Sequence, residues 1–316
     1  VDGMSRVAAI DCGTNSLRLL IADVTDGRLR DVHREMRIVR LGEGVDATGS
    51  FGEAALARTR AALEDYAALL LEYSVPTVRM VATSATRDAA NRDEFFAMTA
   101  DVLGVAVPGA VAEVITGTEE AELSFRGAVG ELDSEAAPFV VVDLGGGSTE
   151  VVLGSTTEVD ASYSANIGCV RLTERCLKSD PPTAAEIEEA RAVVREGLAA
   201  AFAAVPVEHA RTWVGVAGTM TTLSALAMNL ATYDSEIIHL SRVGFDDLLK
   251  VCEGLLAMTR RQRAALGPMH EGRVDVIGGG AIVVEELARE LGERAGIREL
   301  VVSEHDILDG IALSIA

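Results

Sequence analysis

Val140-Val141-Val142-Asp143-Leu144-Gly145-Gly146-Gly147-Ser148-Thr149-Glu150-Val151-Val152-Leu153 reads as an apolar strand, a glycine turn and a second apolar strand. The chain makes the same figure about half its length earlier, as Val7-Ala8-Ala9-Ile10-Asp11-Cys12-Gly13-Thr14-Asn15-Ser16-Leu17-Arg18-Leu19-Leu20-Ile21. Asp-x-Gly-x-x-Ser forms the turn of both. A glycine turn lets consecutive backbone N–H groups converge on an anion, because glycine tolerates the φ required and removes the side-chain obstacle. Gly13, Thr14, Asn15 and Ser16 in one copy, and Gly145, Gly146, Gly147 and Ser148 in the other, are therefore candidate phosphate ligands. The Ser16 and Ser148 hydroxyls and the Asn15 amide would add donors. Asp11 and Asp143 stand at strand ends, where they are candidates to hold a hydrated Mg²⁺ (another divalent ion such as Mn²⁺ would serve) bridging phosphate oxygens. For one copy an ordinary hairpin turn explains the pattern as well; two copies in matching contexts favour phosphate. No Lys-Ser/Thr follows either copy, which excludes a Walker A loop. Neither continues as Gly-x-Gly-x-x-Gly, which disfavours a dinucleotide fold.

The elements around the hairpins also repeat. Residues 6–24 read as two strands and 28–41 as a third. A helix follows at 53–74, with Leu56, Leu63, Leu70 and Leu71 on one face. Then come a strand at 78–83, a helix at 93–103, a strand at 111–115 and a helix at 119–130. The polar, proline-bounded stretch 131–138 is the linker candidate. Phe139 restarts the pattern, with a third strand near 157–163. A helix at 184–203 opens with Thr183 and Glu186 in capping-box spacing. A strand at 213–216 feeds Ala217-Gly218-Thr219 and another helix, and a last strand lies at 299–302. Residues 306–316 read as an apolar helix that crosses back to the first domain. The expectation is an α/β protein of two related domains flanking a cleft, 1–130 and 131–316.

Composition narrows the class. The 316 residues suffice for two domains, and 49% hydrophobic residues allow a sizeable core, though only 4% are aromatic. With 49 acidic against 28 basic side chains the net charge is −21, a surface that repels nucleic acid and polyanions alike. Any phosphate site must then be built from local N–H groups, arginines and metal. The four cysteines show no C-x-x-C spacing, so neither structural zinc nor a disulfide framework is implied. No signal-peptide pattern and no run of about 20 apolar residues is found, so a soluble cytoplasmic protein without membrane partners is expected. Val1 to Gly3 read as an added remnant ahead of a natural start at Met4.

The two hairpins, together with Arg40-Leu41-Gly42-Glu43-Gly44, Ser84-Ala85-Thr86-Arg87-Asp88-Ala89, Thr116-Gly117-Thr118-Glu119-Glu120-Ala121, Ile167-Gly168-Cys169-Val170-Arg171-Leu172 and Ala217-Gly218-Thr219, resemble the exopolyphosphatase / guanosine pentaphosphate phosphatase (Ppx/GppA) family, in its short two-domain form. The resemblance implies two ribonuclease H-like domains of the acetate kinase–actin–Hsp70 superfamily, a homodimer, and hydrolysis of a terminal phosphoanhydride. Inorganic polyphosphate or guanosine pentaphosphate would be the substrate. It makes Glu120 the catalytic carboxylate that activates water. Without it, Glu119 and Glu120 read as first-turn acids complementing a helix dipole. It also turns Arg87 towards the reacting phosphate, where the plain reading is a surface salt bridge to Asp88 or Asp93.

Glu150 reads either as a second catalytic acid that holds water or metal, or as a solvent-facing strand residue. Gly218 and Thr219 could present N–H groups to an anion at a helix N-terminus, or Thr219 could simply cap that helix. Arg18, Arg40, Arg171, Arg175 and Lys178 are weaker candidates for a polyanion path. Ile277-Gly278-Gly279-Gly280-Ala281 reads as close helix packing in preference to room for substrate. The five histidines make no metal-ligand spacing, and Ser148 reads as a phosphate donor and not as a nucleophile. Many relatives have Ser-x-x-x-Leu-Arg-Glu-Gly near the C-terminus. Here Leu308 stands at the arginine position, which puts a phosphate contact there in doubt. The function expected is release of terminal orthophosphate from polyphosphate with Mg²⁺. The rivals are guanosine pentaphosphate hydrolysis, phosphotransfer as in a kinase, and a sensor that binds without hydrolysing.

Overall fold

Eleven strands fall into two sheets in the computed structural model, which describes residues 4–316; Val1 to Gly3, read above as a remnant, lie outside it. The first sheet holds β1 (Ser5–Cys12), β2 (Ser16–Thr25), β3 (Arg28–Ile38), β4 (Thr77–Ala82) and β5 (Glu113–Val114), in the order β3-β2-β1-β4-β5. The second holds β6 (Phe139–Leu144), β7 (Thr149–Gly154), β8 (Val159–Ala165), β9 (Thr212–Val216), β10 (Ser241–Gly244) and β11 (Glu299–Val302), in the order β10-β11-β9-β6-β7-β8. Each sheet starts with an antiparallel meander and continues with strands parallel to its first, β4 and β5 beside β1, and β9 and β11 beside β6, and the second sheet ends on the antiparallel edge strand β10. The register matches as well. Asp11 pairs Val81 on β4 as Asp143 pairs Val216 on β9.

The chain divides into two compact units, one ending at Gly127 and regaining Ile307–Ala316, the other running Ala128–Asp306. In the first unit one core lies between the sheet and the helices Glu53–Glu72 and Arg92–Leu103, with Leu63, Tyr66, Leu70 and Phe95 buried. On its other face the returning helix Ile307–Ser314 packs Ile307, Leu308 and Ile311 against Val7, Ala9, Leu20 and Val81. The half-buried Arg34–Asp309 ion pair, 2.5 Å, pins that helix to β3. The second unit has one large core in which Trp213, Leu198 and the apolar face of the helix Ile277–Ala295 are buried.

Several local expectations hold. The helix Ala184–Ala204 carries the full Thr183/Glu186 capping box. The helix Ile277–Ala295 packs its glycines tightly: a Cβ at Gly279 would stand 2.7 Å from the Cys169 carbonyl oxygen, and one at Gly280 2.5 Å from Thr219 Cγ2. Others do not. β3 stops at Ile38 because the Val39 and Arg40 amides turn to the Asn15 carbonyl. β5 is two residues long where 111–115 is read as strand. Leu71 is exposed, since Tyr66 and Ala67 take the buried face in its place.

Candidate functional site

The second hairpin is braced from behind. Its turn closes with Gly145 N–H on the Ser148 carbonyl at 3.0 Å. The segment leading into the helix Cys169–Cys176 then takes up the loop carbonyls. Cys169 N–H donates to Gly145 O, Val170 and Arg171 N–H donate to Gly146 O, and Arg171 Nε donates to Gly147 O at 2.8 Å. In a planar trans peptide the carbonyl and the next N–H point in opposite directions. The amides of Gly146, Gly147 and Ser148 are therefore turned away from the brace, as an anion nest requires. Gly168 makes the close approach feasible, since a Cβ there would lie 2.3 Å from Gly146 O. Arg171, read as part of a polyanion path, uses its Nε on the loop.

Asp143 on β6 faces Glu150 on β7, and Glu150 faces Ser164 on β8, so the three side chains share one face of the sheet. Ser164 Oγ donates to Glu150 Oε1 at 2.6 Å. Glu150 is 1% exposed and Asp143 7%. The solvent-facing reading of Glu150 is thus wrong: β7 lies between two strands and is covered. Two buried carboxylates opposite one another are a donor set suited to a hard divalent cation.

The first hairpin repeats the turn, with Gly13 N–H on Ser16 O at 3.0 Å. Here the brace is the irregular strap that follows β3. Val39 and Arg40 N–H donate to Asn15 O, and Gly42 N–H to Thr14 O at 2.8 Å. A Cβ on Gly42 would meet Thr14 Cγ2 at 2.3 Å. Asp11 faces Arg18 across β1 and β2, and both Arg18 Nη2 (2.8 Å) and Nε (3.1 Å) donate to its Oδ2. Arg18 therefore pairs with the carboxylate proposed for metal. Burial, reinforced by Asp11, pushes the Cys12 thiol well up, so it is an inert core group.

Glu120 lies in the first turn of the helix Gly117–Val129, which starts with Glu119 N–H on Thr116 Oγ1. Arg87, on the short helix Ser84–Asp88, pairs with Glu120 at 2.8 Å and donates to Ile115 O at 2.9 Å. The surface pairing with Asp88 or Asp93 is not what forms. Glu119 binds Arg79 at 2.6 Å, and Arg79 also donates to Ser314 Oγ on the returning helix. That helix approaches closely at Gly310, where a Cβ would lie 1.9 Å from Leu123 O. Leu308 is buried in the apolar cluster beneath and binds nothing charged through its side chain. The turns after β1, β4 and β5 stand at the carboxyl edge of the first sheet, linked by Thr83 N–H to Cys12 O and Ile115 N–H to Ala82 O. Ligands of open α/β sheets bind at such edges.

In the second unit Ala217 follows β9, so its turn neighbours the Gly145–Ser148 loop at the carboxyl edge. Ala217 has φ 79° and ψ 175°, a conformation that only glycine adopts without strain, and strained backbone of this kind clusters at functional sites. Ala217 is also the N-cap of the helix Gly218–Ala227, so Thr219 is not. Thr219 is buried against Gly280. The Arg273 guanidinium lies on Gly218, with Nη1 1.8 Å from where a Cβ would be. Nothing local in the sequence marks Arg273; it comes from a single turn of 3₁₀ helix, Glu271–Arg273.

One histidine cluster forms from residues far apart in sequence, where no local spacing marks it. Ligand atoms of Glu131, His239 and His305 lie within 4.8 Å of one another. His239 Nδ1 accepts the Glu304 N–H, which places the ring proton on Nε2, and that nitrogen contacts Glu131 Oε2 at 2.6 Å. A metal-bound histidine donates from its second nitrogen. The cluster is therefore a hydrogen-bonded clasp. No described helix is long and apolar enough to cross a membrane.

Residues 20–315 match the Ppx/GppA phosphatase family. The chain is 72% identical over 317 aligned residues to a Mycobacterium tuberculosis protein named Exopolyphosphatase 2, covering 99% of each. Among solved structures it is similar to an exopolyphosphatase-like protein at 45% identity and TM-score 0.93, covering 98% of both chains. It is also similar to the Aquifex aeolicus member of the Ppx/GppA family at 30% identity and TM-score 0.78, covering 99% of this chain and 98% of that one.

Proposed function

Because the chain belongs to the Ppx/GppA phosphatase family, we propose that it is a phosphoanhydride hydrolase, an exopolyphosphatase that removes terminal orthophosphate from inorganic polyphosphate. The observation that carries this reading is the pair of glycine loops whose carbonyls are engaged from behind, which turns the amides of Asn15, Ser16, Gly146, Gly147 and Ser148 away from the braces. In a chain of net charge −21, such local amides are what a polyanion can bind. Gly13 to Ser16 and Gly145 to Ser148 hold phosphate oxygens. Glu120 accepts the proton of a water as its oxygen attacks the terminal phosphorus. The bond to the bridging oxygen breaks, and the shortened chain departs with that oxygen's charge. Arg87 keeps Glu120 oriented and offers its guanidinium to the transferred group. Gly218 and Thr219 contribute at the helix start beside the second loop.

The donor set fits Mg²⁺, or Mn²⁺ in its place. Asp143 and Glu150 would hold it, and Asp11 is the weaker ligand because Arg18 is on it. A bound ion there would neutralise phosphate charge. The four buried free cysteines support a reducing, cytoplasmic setting.

The test is orthophosphate release from short polyphosphate, long polyphosphate and guanosine pentaphosphate, with Mg²⁺ and with chelator. Release from polyphosphate that chelator abolishes is expected. Label passing from ATP to a small metabolite would instead establish a phosphotransferase. Tight polyphosphate binding with no release under any divalent ion would establish a sensor.

A further inference from the structure

The two loop braces are built differently. Behind the second loop stands a regular helix start, whose amides are already aligned. Behind the first stands a strap with no repeating structure, and its Arg40 is held at φ 52°, in the left-handed region. A strained non-glycine residue persists only where its surroundings over-determine it. One contributor is a side chain from a neighbouring helix. Arg58, on the helix Glu53–Glu72, donates from Nε to Val39 O at 2.9 Å and from Nη2 to Arg40 O at 3.3 Å, with Glu43 Oε2 at 2.9 Å completing its contacts. The same two strap residues turn their N–H groups onto Asn15 O, in the loop.

We propose that Arg58 is a positioning residue for the first phosphate loop. Its hydrogen bonds go to the strap and not to the loop itself. Its planar fork fixes the strap carbonyls on one side, so that the strap amides on the other side fix the Asn15 peptide and aim the loop's own amides. Lysine cannot replace it, because one ammonium lacks the fork that meets two carbonyls in fixed geometry. The consequence for turnover rests on the hydrolase reading above; the brace itself does not.

The experiment compares R58A, R58K and E43Q with the wild-type chain, by polyphosphate hydrolysis and by amide hydrogen exchange. A loop displaced by a fraction of an ångström costs about 10- to 100-fold in kcat/KM. That loss is expected in R58A and R58K, mainly as a raised KM, with partial recovery of R58A on adding guanidinium ion. The amides of Val39, Arg40 and Gly42 should exchange at least about tenfold faster in both variants, while the rest of the sheet is unchanged. E43Q, which removes only an exposed ion pair, should match wild type. The proposal is overturned if R58K behaves as wild type, or if the strap amides exchange at the wild-type rate in R58A. It is also overturned if exchange accelerates throughout the unit, since that is general destabilisation. If the wild-type chain releases no orthophosphate, the hydrolase reading fails, and the exchange data alone decide the brace.

Discussion

The hairpins β1–β2 and β6–β7 have the same turn, the same closing hydrogen bond and an aspartate in the same row of the sheet, yet opposite charges face the two aspartates. Asp11 has Arg18 across from it and Asp143 has Glu150. In the first unit the carboxylate is matched by a guanidinium from its own hairpin. In the second, two acids share a buried face, a donor set that would suit a cation. A duplicated scaffold thus supports a division of labour. On the proposed reading, the Asp143–Glu150 pair would suit charge neutralisation, and Glu120 with Arg87 would suit taking the proton of an attacking water.

The largest effects should come from variants that erase this division. E150R would give the second hairpin the first one's charge pattern, and E120Q would remove the proton acceptor. Each is expected to lower phosphate release by about 10³-fold. Polyphosphate binding should survive E120Q, as equilibrium binding will show. Near-normal turnover in E150R would break the comparison. The reciprocal R18E should cost only about tenfold, measured in the same assay.

Next come the glycines that admit each brace. G168A drives a Cβ into the backbone oxygen of Gly146, which has little freedom to move. A loss of about 2–3 kcal/mol in urea unfolding is expected, with a marked fall in kcat. G42A meets chiefly the methyl of Thr14, which can rotate, so about 1 kcal/mol is expected. Equal effects would mean that the two approaches are equally rigid.

The smallest effects concern matched helices. Ala184–Ala204 has its capping box, whereas Glu53–Glu72 starts from Gly52 without a side-chain cap. T183A should cost about 1 kcal/mol and G52S should gain a few tenths, read from thermal melts. The Thr183 backbone N–H holds the Glu186 carboxyl down at about 2, helped by the amides of Lys178 and Ser179. A lowered carboxylate contributes stability above its unfolded pKa and loses it as pH falls through the folded one. The Glu186 contribution should therefore be complete at neutral pH and fade as the pH drops from about 4 to about 2, and E186Q should flatten that part of the melting profile.

Much of this was legible because it is local or periodic. The hairpins, the capping box and the returning helix each carry their own sequence pattern. The Arg18–Glu150 contrast was missed, although both residues follow their aspartates by seven positions in hairpins of equal turn length and so face them. What could not be read is what arrives from elsewhere in the chain. Gly42 and Gly168 are ordinary glycines until a loop lies against them. Arg58 and Arg273 are ordinary surface arginines until the strap and Gly218 are in place. Leu71 fits the helical stripe, and only packing by Tyr66 and Ala67 leaves it outside. Glu131, His239 and His305 meet only once β11 and the segment before β10 are placed.

The first unit borrows its lower core from the far end of the chain, with Ile307, Leu308 and Ile311 covering Val7, Ala9 and Leu20. A ribosome therefore delivers every residue of the second unit before it delivers the last piece of the first. Domains made early usually settle early, but here the half that is synthesised first has to wait, with part of one face of its sheet uncovered, until all of the second unit has followed it.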